Sequence, residues 1–210
     1  VRVLIIGASK GIGLDTVRQA LVQGHDVRAL ARSAAAIGLS NPKLEKVRGD
    51  ALNHKDVEAA LAGVEVVIVT LGVGLSDLFR PVNLFSDATR VLIAAMKTQA
   101  VSRLICVTGF GAGDSRASIG WLQRIPFQIV FGHAYDDKTR QEQMIKESAL
   151  DWTIARPGVL TNGPRTGHYQ ILREPSKWRN GMISRSDVAD FLVRQIEDTT
   201  YVLSAPVLVN

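Results

Sequence analysis

The sequence has one cysteine, Cys106, in 210 residues. That excludes an intramolecular disulfide and fits a reducing compartment. Cys106 sits in the apolar run Leu104-Ile-Cys-Val107 and is expected in the core. The four histidines, His25, His54, His133 and His168, are scattered and share no metal-ligand spacing, so no metal site is expected. No apolar stretch approaches the ~20 residues of a membrane span. The opening apolar run is too short for a secretory signal, and a cytoplasmic location is expected. The chain starts at Val1 rather than Met, so an initiator or a little more is expected to precede it. Repeats, low-complexity tracts and long basic runs are also missing. The net charge of +5 is spread along the chain. Neither a nucleic acid nor a membrane is an expected partner; a small-molecule substrate is.

What is present alternates. Strand-like segments read at Val3–Ile6, Asp26–Ala31, Leu44–Val47, Val66–Thr70, Leu104–Thr108, Thr153–Ala155 and Val207–Val209. Helix-like segments read at Ile12–Gln23, Lys55–Ala62, Pro81–Gln99, Lys138–Ser148 and Asp187–Glu197. Many of the strands are nearly continuous apolar runs, as parallel strands covered on both faces require. The alternation predicts one α/β domain with a doubly wound parallel sheet of Rossmann type. Gly24 is placed to end the first helix, Ser184 and Ser186 to cap the last one, and Pro157-Gly158 to end a strand. Two irregular stretches, Gly109–Tyr135 and Asn162–Ile183, follow predicted strands. They are the expected walls of a substrate site.

The most specific signal is the first turn. The run Val1-Arg-Val-Leu-Ile-Ile6 stops at Gly7-Ala-Ser-Lys-Gly11-Ile-Gly13, and an amphipathic stretch follows. This is the strand–turn–helix order of a dinucleotide-binding unit. Its glycines allow a sharp turn, close backbone approach to a pyrophosphate, and tight packing of helix on strand. The helix N-terminus then offers unpaired N–H groups and the positive end of a dipole. Gly7, Ser9, Lys10, Gly11, Ile12 and Gly13 are therefore candidate cofactor contacts.

The end of the second predicted strand bears on which dinucleotide. An acidic residue there would favour NAD, and none is present in Val27-Arg-Ala-Leu-Ala-Arg32-Ser33. Arg32 can instead bond a 2′-phosphate in a fork, with Lys10 adding charge and Ser9 and Ser33 adding hydroxyls. NADP is the expected cofactor, NADPH being preferred to NADH. The plainer alternative makes Arg32 a solvated loop residue. Asp50, followed by Ala51, is placed to accept from an adenine amino group or to serve as a cap or turn residue. Both readings stand. Leu71-Gly72 ends the fourth strand where backbone would pass the cofactor ribose.

Several segments together resemble one family. They are the glycine turn, Arg32, Gly49-Asp50, Thr108-Gly-Phe-Gly-Ala112, Leu150-Asp-Trp-Thr-Ile-Ala-Arg-Pro-Gly158 and Ile183-Ser-Arg-Ser-Asp-Val-Ala-Asp-Phe-Leu192. They are similar to the atypical short-chain dehydrogenase/reductase superfamily, in its NAD(P)-binding, NmrA-like and flavin-reductase-like branch. The resemblance covers essentially the whole chain. It implies a Rossmann fold, a pyridine dinucleotide, and a nicotinamide pocket lined by Pro157, Gly158 and Val159. Better-known relatives use a serine after the fifth strand and a Tyr-x-x-x-Lys pair.

This chain departs from that pattern. The spacing from Tyr135 to Lys138 is Tyr-x-x-Lys, Asp136 and Asp137 suggest that Tyr135 precedes the helix, and Thr108 or Gly109 takes the serine position. Lys138 matches the lysine of the NmrA-like ether reductases, where it would hold ribose or move a proton; a solvated helix-start lysine is the alternative. Thr108, Tyr135 and Lys138 are the catalytic candidates. Such a reduced set suits hydride transfer to a conjugated acceptor of flavin or quinone type, which needs orientation more than a tuned acid. It equally suits a non-catalytic NADP-binding redox sensor, and a nucleotide-sugar epimerase less well. Arg165, His168, Tyr169, Arg173, Lys177, Trp178 and Arg179 in the Asn162–Ile183 stretch could clamp a planar anion. A solvated basic loop with Trp178 tucked onto the domain is the preferred reading.

Overall fold

The computed structural model describes residues 1–72, 83–118 and 121–210, the side chains of 121–132 excepted. Its first half runs β1 (Arg2–Ile6), α1 (Gly11–Val22), β2 (Asp26–Ala31), β3 (Leu44–Arg48), α2 (His54–Leu61), β4 (Val66–Val69) and α3 (Leu84–Thr98). The second half runs β5 (Arg103–Val107), α4 (Trp121–Glu147), β6 (Asp151–Pro157), β7 (Val159–Thr161), β8 (Gln170–Leu172), β9 (Met182–Ser184), α5 (Arg185–Arg194) and β10 (Val207–Val209).

Eight strands form one sheet in the order β3-β2-β1-β4-β5-β6-β10-β8, all parallel except β8. The expected doubly wound sheet is present. Its central strands are largely apolar because successive residues enter different cores. Val3 and Ile5 pack with Val17 of α1 and Phe191 of α5, whereas Leu4 and Ile6 pack with Val57 of α2 and Leu92 and Met96 of α3. A strand that feeds a core on each face cannot alternate with polar residues. Each fully buried Leu or Ile contributes about 1.5–3 kcal/mol.

The order in which strands are laid down reverses between the parallel neighbours β1 and β4, the topological switch point. The carboxyl ends of β1, β2, β4, β5 and β6 all open on that edge, where ligands of open α/β sheets sit.

Two expectations need correction. The stretch Gly109–Tyr135 is not a loop up to Tyr135: a 3-10 turn covers Gly113–Ser118 and α4 already begins at Trp121. Residues 119 and 120 lie outside the described residues. Pro126 and the β-branched Ile125, Ile129 and Val130 argue locally against helix, which hid its first half. The Asn162–Ile183 stretch contains β8 and the start of β9, and β9 pairs with β7 as a separate two-stranded ribbon. Three-residue strands are too short to show a period. The predicted helix Pro81–Gln99 is found from Leu84; residues 81 and 82 lie outside the described residues.

Candidate functional site

A cavity of about 560 Å³ occupies the switch point. The first turn contributes Gly7, Ser9, Lys10, Gly11 and Ile12 to its walls. Arg32 and Ser33 enter after β2, Asp50 and Ala51 after β3, and Leu71 and Gly72 after β4. Thr108, Lys138 and Pro157 close the far end. Sequence reasoning missed Leu52, Leu84, Leu160 and Arg185, which also line it.

Four of the candidates do not reach the wall. Gly13 is turned onto the first turn itself: a Cβ there would lie 2.2 Å from the Gly7 carbonyl oxygen. Gly158 packs on Gly181, its own Cβ position being 2.3 Å from the Gly181 oxygen. Val159 pairs with Met182 in the ribbon and points to solvent. Tyr135 is the fourth.

The turn is built for close approach. A Cβ on Gly7 would meet the Thr70 carbonyl at 2.9 Å, so β1 and β4 meet tightly below the turn. Gly11 has φ +56°, and the first atom a Cβ would reach is Arg185 Cδ at 3.9 Å, which leaves room above it. Lys10 is the N-cap of α1 in an extended conformation and makes no side-chain capping bond. The first N–H groups of α1 thus face the cavity without a cap, and a phosphate fits that donor set.

At the end of the cavity that follows β2, Arg32 is exposed on the rim. Among the described residues no hydrogen bond or ion pair occupies its guanidinium. Asp50 acts as a turn residue: its carboxylate accepts the Leu52 N–H at 3.0 Å. It is not the cap of α2, because Asn53 accepts from Lys55 and Asp56 N–H there.

The opposite end is set by α4. Lys138 is not a solvated residue at a helix start; it lies in mid-helix and half-buried. Its Nζ donates to the Thr108 carbonyl at 2.5 Å and lies 5.1 Å from the Phe85 ring centroid and 5.2 Å from that of Tyr135. Burial pulls its pKa down to about 8, and the Glu142 carboxylate acts the other way. Tyr135 is inside α4 rather than before it. Its hydroxyl packs on Gly109, where a Cβ would come within 2.7 Å. Burial pushes that phenol up to about 12. Thr108 lines the cavity, and its hydroxyl donates to Glu142 at 2.7 Å.

Glu142 belongs to a buried cluster that sequence reasoning missed. Arg156 has no exposed surface and donates Nε to Glu142 Oε1 at 3.0 Å. It also pairs with Asp114 and lies 4.9 Å over the Trp178 ring. Burial works against the Asp114 carboxylate, yet the Arg156 guanidinium holds it below its ordinary range. The available signal was an arginine inside the apolar strand β6. The Trp178 indole donates to Leu172 O at 3.0 Å, Tyr169 hydroxyl to Asp190 at 2.9 Å, and Arg165 to Asp190 at 2.7 Å. These contacts fit the plainer reading of that stretch, with Trp178 tucked onto the domain.

Residues 7–199 match a family described as NAD(P)H-binding. Among curated relatives, an uncharacterized chloroplastic protein of Arabidopsis thaliana is 28% identical over 201 residues, covering 93% of this chain and 71% of that protein. An uncharacterized sugar epimerase of Bacillus subtilis, YhfK, is 28% identical over 207 residues, covering 94% and 88%. Among solved structures, ChuY of Escherichia coli O157:H7, described as an anaerobillin reductase, superposes with a TM-score of 0.80 at 27% identity, covering 100% of this chain and 97% of ChuY. Family membership does not carry the expected cytoplasmic location, since the Arabidopsis relative is chloroplastic. No helix among the described residues is long and apolar enough to cross a membrane. The chain belongs to the NAD(P)H-binding family and carries its nucleotide-binding turn on a Rossmann-type fold.

Proposed function

We propose that this protein is an NADPH-dependent reductase that delivers hydride to a small conjugated acceptor of flavin or quinone type. One observation carries the reading: among the described residues, the cavity has at one end an arginine without a side-chain partner, and at its other end a lysine but no tyrosine in its lining. Arg32, helped by Lys10, Ser9 and Ser33, would hold the 2′-phosphate. The first N–H groups of α1 would hold the pyrophosphate, and Lys138 the nicotinamide ribose. The bound dihydronicotinamide supplies a hydride.

The chain's residues orient this transfer. Leu71, Leu84 and Leu160 give the cavity apolar walls against which a flat acceptor can lie. With Thr108 bonded to Glu142 and Tyr135 packed on Gly109, the proton that completes reduction comes from solvent. A delocalised acceptor tolerates this, because its reduced anion needs no positioned acid. Epimerisation of a sugar would need such an acid facing the cavity, which speaks against carrying the activity in the YhfK name over to this chain. The discovery of an anaerobillin reductase among structures of like fold supports a reductase reading.

The test is steady-state oxidation of NADPH and NADH by purified protein with a panel of flavins and quinones. Turnover with NADPH, exceeding that with NADH, is expected. Tight NADPH binding without turnover on any acceptor would remove the reductase assignment.

A further inference from the structure

The first turn of α5 is fastened to α1. Gln19 Nε2 donates to Ser186 O at 2.8 Å, and Ser186 Oγ donates to Asp15 Oδ2 at 3.0 Å. Ser184 caps α5 by accepting the Asp187 N–H at 2.9 Å. Arg185 is therefore the first helical residue, held at a fixed distance from the start of α1.

That is a poor place for an arginine. The N-terminal end of a helix carries partial positive charge, and acidic residues are favoured there. Arg185 faces a second such end as well. Its stem runs over the glycine turn, with Cδ 3.9 Å and Nε 4.0 Å from a Cβ built on Gly11, and it lines the cavity. Neighbouring carboxylates are otherwise engaged: Asp15 with Arg18 and Ser186, Asp187 with Thr166, Gly167 and Ser184. Among the described residues, the partner of the Arg185 guanidinium is the neutral side-chain oxygen of Asn162, at 2.7 Å. An amide orients the fork without cancelling its charge. Among the described residues, no carboxylate offsets this half-buried cation above the uncapped end of α1.

We infer that Arg185 is a pyrophosphate-binding residue of this cavity, oriented by Asn162 and lying outside the glycine fingerprint. The inference rests on the reading that the cavity takes the dinucleotide along the start of α1. The guanidinium and the N–H groups of α1 then grip the pyrophosphate from two sides, and both positive elements gain from the same anion.

Calorimetric titration with NADPH, NADH, ADP and adenosine 2′-monophosphate separates the contributions. ADP carries the pyrophosphate and no 2′-phosphate; the monophosphate is the reverse. Arg185→Gln is expected to weaken NADPH, NADH and ADP by roughly tenfold, the worth of one charge-assisted hydrogen bond. Adenosine 2′-monophosphate should change less than about twofold on the same scale. Arg185→Lys, which keeps the charge, should recover part of the ADP affinity. Unchanged ADP and NADH affinity in Arg185→Gln overturns the inference while leaving the cofactor site standing. Equal weakening of all four ligands also overturns it, as general damage to the cavity. Failure of the unaltered protein to bind either coenzyme would sink the site reading itself.

Discussion

Arg156 and Glu142 form a two-point ion pair without solvent exposure, Nε to Oε1 at 3.0 Å and Nη2 to Oε2 at 2.5 Å. The pair joins β6 to α4, and the Thr108 hydroxyl joins it from the end of β5. Glu142 is one turn beyond Lys138 on the same helix face. The pair therefore sets the angle at which α4 presents Lys138 to the cavity.

Glu142→Gln leaves the buried Arg156 guanidinium facing a neutral amide, with the exposed Asp114 as its remaining charged partner among the described residues. Glu142→Gln is expected to lower stability by about 3–5 kcal/mol, measured by urea unfolding. Replacing both residues together, as Glu142→Leu with Arg156→Met, should cost less than the single change, because no unpaired charge remains. A single-variant loss below about 1 kcal/mol, the scale of a surface pair, would show that water already reaches the pair.

Lys138 gives two pH effects of opposite sign. Below about 8 its amine is protonated in the folded and the unfolded chain alike. Between about 8 and its ordinary value the folded chain releases the proton while the unfolded chain keeps it. Unfolding then takes up a proton, so folding stability rises with pH across that window. Coenzyme affinity should move the other way, since charge-assisted contacts to ribose weaken as the ammonium is lost. Lys138→Met should flatten both profiles, read by thermal melting and by titration with NADPH across pH 7–10 (about the range of the shift).

The glycines separate packing from backbone strain. In Gly13→Ala the new Cβ meets backbone, at 2.2 Å from Gly7 O, and backbone cannot rotate away. α1 must shift, so stability should fall by about 1–3 kcal/mol and NADPH binding with it. Gly24 has φ +87° and nothing within 4 Å of a built Cβ. Gly24→Ala should cost about 1–2 kcal/mol of strain and leave NADPH affinity unchanged. Melting curves paired with binding titrations test both halves.

This contrast also marks what the sequence could reveal. Gly7, Gly11 and Gly13 were legible because turn chemistry is local, and β1, β4 and β5 because strands buried on both faces read as unbroken apolar runs. The place of Arg32 on the cavity wall was legible by its distance from the turn. Glu142 and Arg156 were not: their pairing joins a helix to a strand, and neither neighbourhood signals the other. Arg185 was hidden for the same reason, since the chain first brings it to Gly11 when α5 packs on α1. The early start of α4 was masked by Pro126, whose type argues locally against helix.

Arg32 tests the choice of coenzyme. Its guanidinium on the cavity rim has no competing carboxylate among the described residues. Arg32→Asp removes the fork and adds repulsion toward a 2′-phosphate. NADPH should weaken by roughly two orders of magnitude, from a lost charged hydrogen bond plus like-charge repulsion, while NADH changes little or improves. Equal losses for the two coenzymes would refute the preference.

Asp137 ties α4 to α3. Its Oδ2 accepts the Phe85 N–H at 2.8 Å and the Ser86 N–H at 3.3 Å, and its Oδ1 accepts the Ser86 hydroxyl at 2.5 Å. It thus performs the capping that Asn83, the residue at the N-cap of α3, does not. Asp137→Ala strands buried donors at the start of α3 and is expected to cost about 2–4 kcal/mol. Asp137→Asn keeps an acceptor oxygen and should recover much of that. Phe85 also packs on the Lys138 ammonium, so loosening this end of α3 moves one wall against which Lys138 is held. NADPH affinity should therefore fall in Asp137→Ala and recover in Asp137→Asn, in step with the melting temperature. Stability lost without any change in affinity would mean that Lys138 is held by Thr108 and Glu142 alone.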